Sequence, residues 1–190
     1  MFAIHARYRG GSSRRADLVQ RSARALETLE GVGEFETLGV EDIRAVIDDA
    51  PTLADVVMAL LADGEWAIGI GITAGDELAE DSMREVATSA LKKNSRAGQV
   101  HARAAKEHQE AEANDIAAAF GLLGYVLSKR TLEGREATAL VRSGYNQNEA
   151  AAELGISKQA MSQRLHAAGW GAESAGWQLA VNLLKRAGLD

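Results

Sequence analysis

Apolar positions in the first half of the chain switch between period two and period 3.6, in an order that predicts a sheet with helices. Phe2 to Tyr8 reads as a strand, Gly10-Gly11-Ser12-Ser13 as a turn, and Arg15 to Glu30 as a helix with Leu18, Ala25, Leu26 and Leu29 on one face. Glu34 to Leu38 and Ile43 to Asp48 are short extended runs around Gly39-Val40, a hairpin pattern. Pro51 interrupts. Leu53, Val56, Val57, Leu60 and Leu61 then recur at helical spacing, with Thr52 and Asp55 as N-cap and third residue of a capping box and Gly64 as the stop. WAIGIGIT alternates, with Trp66, Ile68, Ile70 and Ile72 on one face and Ala67, Gly69, Gly71 and Thr73 on the other. A helix is predicted over Asp76 to Lys93. The order β-α-β-β-α-β plus a helix is the ferredoxin-like pattern, an antiparallel sheet with helices on one face.

Around Asn94 to Gly98 the composition turns polar, and no β-rich segment is evident beyond it. The expected fold class is therefore α+β: a ferredoxin-like antiparallel-sheet domain over residues 1–97, followed by an all-α domain over 98–190. Ile116, Ala119, Phe120, Leu123, Val126 and Leu127 form an apolar stripe on a helix from about Asn114 to Lys129, read as a linker or dimer helix. The preceding HARAAKEHQEAEA is helix-prone but nearly without large apolar residues. Trp170 and Trp177 flank a final helix over Ser174 to Leu189 and are read as core or dimer anchors.

Between these helices lies the most informative spacing in the chain. Glu133 to Ser143 predicts a helix with Leu140 and Val141 inward, closed by Gly144. Asn146 and Glu149 form the capping box of a second helix running to Leu154. Gly155 permits a sharp turn, Ile156 plugs the core below it, and Ser157 caps a third helix, Lys158 to Ala167. Ala151 is small where helices must cross, and Met161 and Leu165 bury the inner face of the third helix. Lys158, Gln159, Ser162, Gln163 and His166 then face outward. Gln can read adenine bidentately, Lys can read guanine, and Ser adapts, so Lys158, Gln159, Ser162 and Gln163 are expected to read bases. Arg135, Arg142, Ser157, Arg164 and His166 are expected to contact phosphates, which position the protein without specifying sequence.

Charge refines this picture. The net charge of −6 excludes a generally basic coat protein. Residues 1–97 hold 11 basic against 17 acidic side chains, whereas residues 98–190 hold ten of each, so the acidity is confined to the first part. Residues 129–170 carry 6 basic and 4 acidic side chains, a local excess suited to a DNA-facing surface. The absence of cysteine excludes disulfides, thiolate metal sites and cysteine nucleophiles, and fits a reducing cytoplasm. The opening MFAIHARYRGGSSRR has the wrong order for a secretory signal, and no apolar run approaches membrane-spanning length, so no membrane partner is expected.

LEGREATALVRSGYNQNEAAAELGISKQAMSQRLHAAGW resembles the helix-turn-helix of sigma-factor region 4 and related bacterial regulators, over about a fifth of the chain. With a strand such as WAIGIGIT ahead of it, the chain is also similar to the SatD family, whose first domain resembles the class III nucleotide-cyclase palm. That resemblance implies a metal-binding aspartate at the end of the first strand, before a Gly-Ser turn, and another acid at the hairpin. Here Ala6, Arg7 and Tyr8 stand at the first position, and a cationic Arg7 repels a divalent ion. Glu41 and Asp42 at the hairpin make an incomplete two-metal site. His5, His101, His108 and His166 form no ligand-spaced cluster. No catalytic residue, metal or cofactor is therefore expected. Gly69 and Gly71 predict close packing of another segment or of a dimer partner, with a ligand phosphate as the alternative.

The expectation from sequence is a cytoplasmic, sequence-specific DNA-binding transcription regulator, acting as a homodimer on double-stranded DNA. Its first domain would sense a small-molecule or nucleotide effector or mediate assembly. The rivals are a nucleotide-binding or nucleotide-processing enzyme with a DNA-binding tail, and a protein-interaction adaptor.

Overall fold

Two strands form the centre of the sheet because they are apolar along almost their whole length. β1 (Phe2–Tyr8) and β4 (Trp66–Ile72) pair antiparallel with Ile4 opposite Ile70, and every residue of β4 is buried. A strand buried at both alternations needs cover on both faces of the sheet. Beyond β1 lie β3 (Asp42–Ile47) and the edge strand β2 (Glu36–Leu38), each antiparallel to its neighbour. At the other edge β5 (Val100–Ala104) pairs parallel with β4, so the strand order is β2-β3-β1-β4-β5. The computed structural model, which describes residues 1–73 and 78–188, is thus α+β with a mixed five-stranded sheet.

One face of the sheet is covered by α1 (Arg15–Leu26), α2 (Ala50–Asp63), α4 (Glu110–Ser128) and α8 (Trp170–Ala187). Their buried residues share one core with Ile4, Ile43, Ile47, Trp66, Ile68, Ile70 and Ile72. The opposite face meets α3 (Glu80–Ala90), where Met83 and Ala87 pack on Ala3 and Val46. The strand glycines make this second layer fit. A Cβ on Gly69 would stand 2.5 Å from the Ala87 carbonyl oxygen, and one on Gly71 would stand 2.7 Å from the Ala87 amide nitrogen. The glycine face is therefore filled by α3 of the same chain, not by a dimer partner or a ligand.

Several expectations are corrected here. The sheet is mixed rather than antiparallel and has helices on both faces, and residues beyond 97 are not all helical. The polar stretch near residue 97 is the connection into β5: Gly98 donates its backbone N–H to the Trp66 carbonyl. Paired against β4, the alanine-rich VHARA segment is extended, because a parallel ladder with a buried neighbour outweighs local helix preference. The Ile116 to Leu127 stripe is not a dimer surface: Ile116, Phe120, Leu123 and Leu127 are buried in the main core. The α2 capping box is displaced as well. Asp49 is the N-cap, accepting from the Thr52 amide at 2.8 Å, and Pro51 sits in the first turn, where its missing N–H costs nothing. α1 ends at Leu26 rather than Glu30, and Leu29 is 39% exposed. The expected helix starts at Asp76 and ends at Leu189 lie outside the described residues.

Candidate nucleic-acid interface

Between α4 and α8 the chain leaves the main core and forms three short helices: α5 (Leu132–Arg142), α6 (Gln147–Glu153) and α7 (Lys158–Ala167). Local signals start and stop each of them. Thr131 caps α5 by accepting from the Gly134 amide, and the Asn146–Glu149 capping box is complete on α6, with Asn146 accepting from the Asn148 and Glu149 amides. Ser157 caps α7, its hydroxyl accepting from the Ala160 amide at 3.1 Å. Gly155 joins α6 to α7 at φ 63°, a left-handed conformation that costs a β-branched residue dearly. Ala137, Ala150, Ala151, Met161 and Leu165 form a separate small core, flanked by Leu140, Val141, Leu154, Ile156 and Trp170.

α7 is divided cleanly. Met161 and Leu165 are buried, while Lys158, Gln159, Ser162, Gln163 and His166 are exposed. One polar face thus brings together all four residues expected to read bases. Of the residues expected at phosphates, Arg135 is exposed and Arg164 half-buried. The Arg164 charge contributes to holding the Glu133 carboxyl below its ordinary range, after hydrogen bonds from Glu133's own amide and from Thr131. The Ser157 hydroxyl keeps its proton for a further acceptor while capping the helix. Arg142 is differently engaged: its guanidinium is paired with Glu173 and lies 5.8 Å from the centre of the Trp170 ring.

That pairing belongs to a joint that sequence reasoning missed. Glu173 of α8 is buried, and its two carboxylate oxygens accept from Arg142 and from the buried Arg130. Arg130 also donates through Nε to the Ala168 carbonyl at 2.8 Å and lies 3.5 Å from the Thr138 hydroxyl. These groups tie the end of α4, the body of α5, the end of α7 and the start of α8. Trp170 packs on the small core and Trp177, two turns along the same helix, packs on the large one. The available signal was Glu173 set three residues after Trp170 and four before Trp177, on one helical face.

On the sheet, the hairpin acids are taken up by arginines. Arg7 forks onto Asp42 through Nε at 2.7 Å and Nη2 at 3.0 Å, and Glu41 is paired with Arg9 and Arg15. His5 sits behind this pair with Nδ1 3.0 Å from the Thr88 hydroxyl, and burial pushes its pKa below the ordinary histidine value despite nearby Asp42. Among the described residues no group of three or more His, Asp or Glu side chains is arranged to hold a metal ion. Nor is any helix among them long and apolar enough to cross a membrane. Comparison with protein-family profiles, curated proteins and solved structures gives no significant match.

Proposed function

We propose that the protein is a cytoplasmic, sequence-specific transcription regulator that binds double-stranded DNA as a homodimer through α5–α7. The observation that carries this reading is the exposed polar face of α7, set on a capped three-helix unit with a turn at Gly155. In this reading α7 lies in the major groove, Lys158, Gln159, Ser162 and Gln163 meet base edges, and Arg135, Ser157, Arg164 and His166 meet phosphates. Arg142, also expected at phosphates, is half-exposed and is shared with the joint to α8. Two such helices, about 34 Å apart in a dimer, would read half-sites one turn apart. We read β1 to β4 with α1 and α2 as a ferredoxin-like unit, a reading supported by the order β2-β3-β1-β4 with antiparallel neighbours. Together with the helix-turn-helix this favours kinship with the SatD family. The sheet body is then a sensing or assembly unit without catalysis, a view supported by the Arg7 fork onto Asp42.

Selection of bound fragments from genomic DNA with the full chain, followed by titrations on the selected and a scrambled duplex, tests the proposal. Gln159→Ala or Gln163→Ala should cost about 1–3 kcal/mol on the selected site and little on the scrambled one. Arg135→Ala or Arg164→Ala should weaken both alike and make the salt slope shallower by about one unit per lost contact. Equal losses on both duplexes for the Gln variants would show that α7 does not read sequence.

A further inference from the structure

Where α2 faces α8, beside the end of α5, lies a cleft of about 490 Å³. Its size falls in the range of about 300–1,000 Å³ common to small-molecule sites. Met58, Ala59 and Ala62 of α2 supply one wall and the rings of Trp170 and Trp177 the other. The small alanines leave room between the helices, and the Trp177 ring is fixed by its Nε1–H donating to Asp55 at 2.7 Å. The result is an aromatic, mostly apolar slot.

Its polar groups are few and unequal. Glu173 lines the slot, but its charge is offset by the buried Arg130 that it also holds. Arg142 shares Glu173, yet its side chain is 48% exposed and only one of its five N–H donors is engaged there. A half-exposed guanidinium on the face of Trp170, with donors to spare, is suited to a carboxylate. Asp55, also lining the slot, opposes a second negative charge. We propose that this cleft binds a small aromatic monocarboxylate, its ring system against Trp170, Trp177 and Ala59 and its carboxylate on Arg142. Resting on the regulatory reading above, the site would also be linked to DNA binding, because Arg142 is the last residue of α5 and a ligand that draws it from Glu173 acts on the joint.

The experiment is calorimetric titration of the full chain, without DNA, with benzoate, phenylacetate, indole-3-acetate and 2-naphthoate and with the primary amide of each, alongside tryptophan fluorescence. At least one acid should bind saturably, one per chain, and change the fluorescence, with its amide weaker by about tenfold. Arg142→Gln should bring the acid to the level of its amide. Ala59→Trp should abolish binding, and Ser174→Trp, filling the slot from the other wall, stands in if that variant does not fold by circular dichroism. No saturable binding by any of the acids, or binding unchanged in Arg142→Gln and in the folded filling variant, would overturn the site. Repeating the DNA titration with the bound acid separates the two ideas. An unchanged DNA affinity removes the linkage and leaves the site, whereas a chain that binds acid but no DNA refutes the regulator reading alone.

Discussion

In the sheet body the residues that close the core are large and come from distant parts of the chain: Ile4, Ile43, Leu53, Trp66, Ile70, Phe120 and Leu184. In the three-helix unit α5 to α7 the buried set is three alanines with Met161 and Leu165, all within a span of 29 residues. The small unit removes far less apolar surface from water, so a larger share of its order must come from caps, turns and attachment to the body. On this argument the body should keep its core on losing one cap, whereas the motif should be sensitive to each local device and to the Arg130–Glu173–Arg142 joint.

The sharpest way to break this contrast is at the joint. Glu173→Gln leaves Arg130 buried without a counter-charge and should cost about 3–5 kcal/mol in urea unfolding followed by circular dichroism. A loss below about 1 kcal/mol would mean that packing of Trp170 and Trp177 alone holds the motif.

The two regions should also fail differently at their glycines. Gly71→Ala puts a Cβ against the α3 backbone and should cost about 1–3 kcal/mol by overpacking. At Gly155 there is open space but positive φ, so Gly155→Val should cost about 1–2 kcal/mol by strain. Asn at 155 should recover most of that loss, since Asn tolerates the left-handed region, whereas Asn at 71 should recover nothing. Equal behaviour of Asn at the two sites would erase the distinction.

A smaller effect tests the motif's dependence on caps. Asn146→Ala should cost about 1 kcal/mol, seen as faster amide exchange in α6 and α7 with β1 and β4 unchanged. Faster exchange throughout the sheet would show that the two regions open as one.

The smallest effect belongs to the body alone. His5 is buried with its pKa lowered, so below the ordinary value near 6.5 the unfolded chain binds a proton that the folded chain does not. Stability contributed by neutral His5 is present above pH 6.5 and is lost as pH falls from there toward the lowered folded value. His5→Gln should flatten that slope as pH falls below the ordinary histidine value, measured by chemical denaturation. An unchanged slope would assign it to other groups.

The motif could be read from sequence because its determinants are local. Asn146 with Glu149, Gly155, Ser157, and Met161 with Leu165 each act within a few residues, and α7 runs over Lys158–Ala167 as expected. The strands β1 to β4 were equally visible as alternating or continuous apolar runs. The hidden parts were those whose partners lie far along the chain. VHARA alternates apolar and polar residues over only five positions, three of them filled by alanine or valine, and it is extended because β4 offers an open edge. The Ile116 to Leu127 stripe announced burial without naming its partner, which is the main core of the same chain. Arg130 and Glu173 lie 43 residues apart, and nothing local to either marks the pair that folding brings together. Sequence alone determined strands β1 to β4, the caps and turn of α5 to α7, and the polar face of α7, because each follows from backbone geometry over one or two turns. Tertiary structure alone decided the fifth strand, the second helical layer over Gly69 and Gly71, the buried joint, and the cleft beside it. Those features depend on which surfaces meet, and that is set by the packing of the whole chain rather than by any short run of residues.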